Sequence, residues 1–304
     1  MSMMKSLYNL FYKAVDKKQN EPKGVFSDVE VEVQKDVPYG DMDVCKVDVW
    51  TPKHRAEKLP VYFYIHGGSF VSGDKDSARG LSKWVAQMGY AVVTVRYGLA
   101  PEYKLFEQIK QIASALNWVE SHADEYGFDL SRVVVGGDSA GGYHASLLAA
   151  LTCDKELQKK FGVDVNLRFF AGVFNCALYS FDQMLEKGLT RTVVKLLVKD
   201  VLGIKFKEKD SIEPKEFWSV TNLVNKDFPR SFITYSKKDS VCPGQSEAFM
   251  QRLDSLGVSY ESYFSTKLSD NHCFSLNWQS KASKENNELV KQFLTQLFVN
   301  KGVL

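Results

Sequence analysis

Apolar positions change their rhythm twice along the chain. Near the start, Leu7, Leu10, Phe11, Ala14 and Val15 fall at i, i+3, i+4, i+7 and i+8. That spacing predicts an amphipathic helix with one apolar stripe. From Val29 the period shortens to two: Val29, Val31 and Val33 alternate with acidic residues, and Lys46-Val47-Asp48-Val49 repeats the pattern. "PYGD" between the two runs supplies turn chemistry. An antiparallel hairpin or meander with one wet face is the expectation.

The alternation then gives way to short, continuous apolar runs: "LPVYFYIHGG", "YAVVTVRY", "SRVVVGG", "LRFFAGVF" and "RSFITYS". Helix-like stretches such as "LSKWVAQMG" and "FEQIKQIASALNWVESHADEYG" lie between them. Strands buried on both faces read this way, because helices cover each side of a parallel sheet. A last strand, "VSYESYFST", and a helix, "KENNELVKQFLTQLF", close the chain. The predicted class is α/β: a mostly parallel, doubly wound sheet with antiparallel strands at its start.

From about Leu178 to Asn225 there are helix signals but no clear strand. In "LTRTVVKLLVKDVLG", Val193, Val194, Leu197 and Val201 share one face and lysines take the other. A stretch this long without a strand reads as an inserted lid rather than an elaborated crossover. A membrane-surface helix is disfavoured, because Asp200 interrupts the basic face and no Trp anchors the apolar one. The expected division is a core of residues 26–177 and 226–304, with residues 1–25 and 178–225 forming a helical cap.

Composition narrows the class. A net charge of +2 with basic residues spread along the chain leaves no nucleic-acid footprint. Lys5, Asn9 and Lys13 break up the first apolar segment, so no signal peptide is expected, and no run is long enough for a membrane span. The five cysteines, Cys45, Cys153, Cys176, Cys242 and Cys273, show no metal-ligand spacing. Reduced thiols, a cytoplasmic location and no cofactor or metal are the expectations. A homodimer stays open as an assembly state.

The chemistry centres on "VVVGGDSAGGYHA", Val133 to Ala145. Gly137-Asp138-Ser139-Ala140-Gly141 fits G-x-S-x-G after a three-valine strand. In that motif small residues make room for a strained strand-to-helix turn that raises the serine. A dinucleotide loop needs G-x-G-x-x-G, and a P-loop needs a lysine after its last glycine. Neither is present, since Tyr143 follows Gly142. The Ala140 amide would then point at a developing oxyanion. The strand ending in His66-Gly67-Gly68 offers two further N–H groups, of Gly67 and Gly68. His66 reads as a loop-fixing donor. A nucleophile elbow requires an acid after a later strand and a histidine after the next. "RSFITYSKKD" supplies Asp239 and "STKLSDNHCF" supplies His272, with Asp270 and Asp254 as weaker rivals for the acid. His54, His122 and His144 lie elsewhere and read as solvated or structural. Cys242 and Cys273 flank the acid and the histidine and read first as small residues in packed loops. Asp138 has no derived role beyond a structural anchor for the turn or the oxyanion loop.

"HGGSF", "YGLAPEYK", "LNWVESHADEYGFDLSRVVVGGDSAGG", "KKDSVCPGQSEAFMQRL" and "DNHCF" together resemble the hormone-sensitive-lipase-like family of α/β-hydrolases. The resemblance runs from about Val61 to His272. It implies Ser139, Asp239 and His272 as the triad, Gly67, Gly68 and Ala140 as oxyanion donors, and a cap built from the N-terminus plus an insertion. Three positions depart from the family. Ser69 stands for a third glycine, Gly98 for an arginine, and Cys242-Pro243 where a second acid often follows. The expected activity is hydrolysis of small, short-chain acyl or aryl esters by water through an acyl-enzyme. Amide hydrolysis on the same triad and non-catalytic ligand binding are the alternatives.

Overall fold

The computed structural model describes residues 19–20, 22–54, 58–187 and 191–299. Eight strands form one sheet: β1 (Val31–Pro38), β2 (Lys46–Pro52), β3 (Leu59–Ile65), β4 (Ala91–Arg96), β5 (Phe128–Asp138), β6 (Ala171–Asn175), β7 (Arg230–Ser236) and β8 (Tyr260–Ser265). Their spatial order is β1-β2-β4-β3-β5-β6-β7-β8. Only β2 runs against its neighbours; β4, β3, β5, β6, β7 and β8 are parallel. The α/β-hydrolase expectation holds, including the antiparallel start.

The continuous apolar runs are strands buried on both faces. In β3, Val61, Phe63 and Ile65 join one core, while Tyr62 and Tyr64 join the other. In β5, Val133 and Val135 face the first core and Val134 the second. Helices Leu105–Ser121 and Ser139–Thr152 cover the first face. The second is covered by helix Arg79–Ala86, through Val85 and Ala86, and by the C-terminal helix Lys281–Val299, through Val290, Phe293, Leu294 and Leu297. Burying a side chain of this size contributes roughly 1.5–3 kcal/mol, so two filled faces fix the register of every central strand.

The wet face expected for the second alternating run is corrected. Asp48 is fully buried, held by the equally buried Lys75 at 2.8 Å and by the Asp36 N–H at 2.8 Å. β2 lies between β1 and β4, and five of its seven residues, Asp48 among them, are buried. A charge there persists only with an ion partner and hydrogen bonds.

The segment 178–225 contains helices Phe181–Lys187 and Arg191–Leu202 and three short 3-10 turns. Among its described residues the only strand-like pairing is the isolated bridge Ser180–Ser219. Leu197 and Val201 are buried as their spacing predicts, and Val198 joins them; the side chains of Val193 and Val194 lie outside the described set. Lys104 Nζ donates to the Asp200 carbonyl at 3.0 Å and ties this segment to the core. The predicted first helix lies outside the described residues. Just after it, the Gln19 carbonyl accepts from Trp278 Nε1 at 2.9 Å, and Asn20 Oδ1 accepts from the Gly80 N–H at 3.0 Å.

Candidate active site

Parallel strands deliver their C-terminal ends to one edge of the sheet, and loops from four of them meet there. β3 leads into His66-Gly67-Gly68, β5 into Ser139, β7 into Asp239 and β8 into His272. Ser139 follows β5 directly, with φ of 52°. A non-glycine residue in this left-handed region is strained, and here the strain lifts the side chain off the strand end. The flanking glycines permit the turn. A Cβ on Gly137 would run into the carbonyl of Gly141, and one on Gly141 into that of Ile65.

Residues distant in sequence form one hydrogen-bonded chain. Ser139 Oγ lies 2.8 Å from His272 Nε2, and His272 Nδ1 lies 2.9 and 3.0 Å from the two Asp239 oxygens. A carboxylate only accepts, so Nδ1 carries the proton and Nε2 turns its lone pair to the serine hydroxyl. Asp239 Oδ1 also accepts from the N–H groups of Val241 at 2.9 Å and Cys242 at 2.8 Å. Burial pushes the Asp239 carboxyl upward. His272 and these two amides outweigh it and hold the group below the usual carboxylate range.

The rival acids are engaged elsewhere. Asp270 accepts from Ser265 Oγ at 2.5 Å, and Asp254 accepts from the Tyr260 hydroxyl at 3.1 Å. Among the other histidines, His66 donates from Nδ1 to the Gly67 carbonyl at 2.7 Å and stacks on Tyr97 at 4.5 Å, as a loop-fixing residue would. His144 is fully buried, donating from Nε2 to Gln108 Oε1 at 3.0 Å. Its burial, with repulsion from His66, pushes its pKa down to about 3, so the ring is neutral.

Asp138 is the residue that the sequence left without a role. It stands at the N-cap of helix Ser139–Thr152, where an aspartate ordinarily accepts from first-turn N–H groups, yet its side chain makes no cap bond. Its Oδ1 accepts instead from the Tyr64 hydroxyl at 2.6 Å and from the Gly67 N–H at 2.9 Å. Two consequences follow. First-turn amides, Ala140 among them, keep their N–H groups free. The Gly67 N–H, expected to face an oxyanion, is occupied by Asp138, and that expectation is corrected. The N–H groups of Gly68 and Ser69 make no bond to an acceptor among the described residues, and Gly68 adopts φ of 122° beside Ser72. The sequence shows only an aspartate directly before the serine. What it binds depends on β3 lying next to β5.

Two further positioning residues gave no sequence signal. Asn271 Oδ1 accepts from the His272 N–H at 2.7 Å, the Ser240 N–H at 3.2 Å and Ser240 Oγ at 3.0 Å, joining the histidine loop to the acid loop. Gln245, fully buried, accepts from the N–H groups of Tyr179 at 2.7 Å and Ser180 at 2.8 Å, where the chain leaves the core for the inserted segment. At the departure from the family at Gly98, the Tyr103 ring occupies the space a side chain would need, and the Gly98 N–H donates to Gln111 Oε1 at 2.6 Å. Cys242 is buried beside Asp239, and burial, then Asp239 and Cys176, push its thiol pKa well up.

This architecture and the convergence of serine, histidine and carboxylate at one sheet edge place the protein among the α/β-hydrolases. The chain belongs to the BD-FAE family within the hormone-sensitive-lipase-like branch, whose profile matches residues 47–253. It is similar to the probable carboxylic ester hydrolase LipM of Mycobacterium tuberculosis, at 26% identity over 86% of this chain and 61% of LipM. A shorter stretch, 38% of this chain and 30% of the relative, is 33% identical to arylacetamide deacetylase of Bos taurus. The chain thus spans less than two thirds of these curated relatives' lengths. The crystal structure of esterase B from Lactobacillus rhamnosis superimposes with a TM-score of 0.83 at 25% identity, covering 98% of this chain and 96% of that one. The same esterase has been crystallised inhibited by a tributyrin phosphonate. No helix among the described residues is long and apolar enough to cross a membrane.

Proposed function

We propose that the protein is a serine carboxylesterase acting by two-step acyl transfer. The observation that carries this reading is the unbroken chain from Ser139 through His272 to Asp239. Ser139 Oγ attacks the ester carbonyl as its proton passes to His272 Nε2. Asp239 holds the imidazole in the Nδ1–H tautomer and stabilises the imidazolium. The N–H groups of Gly68, Ser69 and Ala140 receive the oxyanion, each such donor being worth about 3 kcal/mol in the transition state. His272 returns its proton to the leaving alcohol, then activates the water that frees the acid.

The substrate class is short-chain acyl or aryl esters. Phe70, in the oxyanion loop, stacks on Phe181 at 5.6 Å, and Phe181 packs against Tyr143 at 5.1 Å, Phe217 at 6.1 Å and Trp218 at 5.9 Å. A rigid aromatic cluster therefore joins the oxyanion loop to the segment 178–225. We assign that segment as a cap limiting the acyl chain. The inhibited esterase B supports the short acyl class by similarity. The second reading, amide hydrolysis on the same triad, is favoured by the likeness to arylacetamide deacetylase. A cytoplasmic location fits five free thiols, and size-exclusion chromatography distinguishes a monomer from a homodimer.

The test replaces Ser139 by Ala. Hydrolysis of p-nitrophenyl acetate falls on the order of a millionfold in kcat, and labelling by a fluorophosphonate is abolished. A Ser139→Ala protein that keeps most of its ester hydrolysis removes the reading. Wild-type rates on p-nitroacetanilide above those on the ester favour the amide alternative.

A further inference from the structure

Three cysteines surround the site and none has a place in acyl transfer. Two of them, Cys176 after β6 and Cys273 after His272, bring their Sγ atoms within 4.8 Å of each other and of a ring nitrogen of His272. Cys176 is 1% exposed, and both cysteines lie in the left-handed region at φ of 45° and 53°. Cysteine has no short polar arm to ease that conformation, as Asn or Asp do, so the fold holds two thiols together at a conformational cost.

We propose that Cys176, Cys273 and His272 form a binding site for a thiophilic divalent cation such as Zn2+, and that occupation switches the hydrolase off. Zinc takes sulfur at about 2.3 Å and imidazole nitrogen at about 2.0–2.1 Å, so tetrahedral donors sit about 3.8 Å apart. Closing from 4.8 Å requires side-chain shifts of no more than about 1 Å. The surroundings favour positive charge. Asp138 Oδ2 is 3.9 Å from Cys273 Sγ, and the buried Asp239 lies against His272. Among the described residues neither carboxylate is paired with a Lys or Arg. On binding, each thiol releases its proton to solvent as its metal–sulfur bond forms; a coordinating cation deprotonates a thiol outright.

Inhibition follows from the geometry and rests on the proposed hydrolase reading. Both ring nitrogens of His272 are in use, Nε2 with Ser139 and Nδ1 with Asp239. A cation can take the ring only by displacing one of them. Loss of the first contact removes the base from the nucleophile, and loss of the second removes the group that fixes its tautomer.

The experiment has two arms on the full chain. In the first, Co2+ is titrated into Ser139→Ala protein, and the thiolate-to-cobalt charge-transfer absorption is followed. The band appears, and it is absent from Ser139→Ala carrying Cys176→Ser and Cys273→Ser. In the second, wild-type ester hydrolysis drops at least about tenfold in excess Zn2+ and returns on adding EDTA, while the Cys176→Ser/Cys273→Ser variant keeps most of its rate. Absence of the cobalt band overturns the site, whatever the catalytic result. Equal zinc inhibition of the double variant overturns the switch. A protein with the band but no hydrolase activity keeps the site and removes the function reading.

Discussion

Replacing Asp138 by Ala tests whether the residue before the nucleophile builds the oxyanion loop. The change removes one acceptor shared by two buried donors, the Tyr64 hydroxyl at 2.6 Å and the Gly67 N–H at 2.9 Å. Each donor left unsatisfied costs about 1–3 kcal/mol, for a combined loss of about 2–6 kcal/mol. That is a large share of the 5–15 kcal/mol typical of a folded domain, so Asp138→Asn, which retains an acceptor oxygen, serves as the paired variant. In Asp138→Ala the loop is released, and the free N–H groups of Gly68 and Ser69 lose their fixed direction. Losing one effective oxyanion donor lowers kcat about 10²–10³-fold. Because that bond is made in the transition state, kcat and kcat/KM fall together. The assay is steady-state hydrolysis of p-nitrophenyl acetate by all three proteins, with thermal unfolding by circular dichroism as the control for folding. A folded Asp138→Ala protein with unchanged kcat refutes the anchoring argument. Equal losses in Asp138→Asn and Asp138→Ala show that the charge, rather than the acceptor geometry, is what matters.

Two further outcomes follow from the hydrogen bonds and buried groups. His144 is neutral in the folded protein with its pKa pushed down to about 3, so its contribution to stability is full above its ordinary 6.5 and is lost as pH falls from there toward 3. Between pH 7 and pH 5 this one ring withdraws about 2 kcal/mol, and urea unfolding at the two pH values reads it; a His144→Gln protein with the same pH dependence as wild type contradicts the assignment. Asn271→Ala leaves the His272 N–H and both Ser240 donors without their acceptor, and kcat falls about tenfold with little change in KM, because the base is positioned less well while substrate contacts are untouched. Asn271→Asp, which keeps the acceptor, restores most of the rate; an unaltered kcat in Asn271→Ala removes the residue from the positioning set.

Much of this protein was legible in its sequence because short-range physics dictated it. Strands buried on both faces are apolar at nearly every position, so "VYFYI" and "VVTV" announce central parallel strands. A serine on a strained turn needs small neighbours, so Gly137 and Gly141 mark the elbow. Strands that end on one edge bring the serine, acid and histidine loops together, and the order serine, acid, histidine is the one that the resemblance to the α/β-hydrolases implies, so Asp239 and His272 could be named as candidates before any distance was known. What tertiary structure alone decided involves pairs whose separation in sequence carries no signal. Asp48 reads as solvent-facing by alternation, and only the return of Lys75 across β2 makes it a buried ion pair. Gly67 reads as an oxyanion donor by its place after His66, and only the adjacency of β3 and β5 hands its N–H to Asp138. Cys176 and Cys273 have no metal-ligand spacing, because metal spacing is a property of single loops, while here the ends of two strands bring the thiols to one histidine. Local sequence fixes which residues can do chemistry; the lateral order of strands fixes which donors remain free to do it.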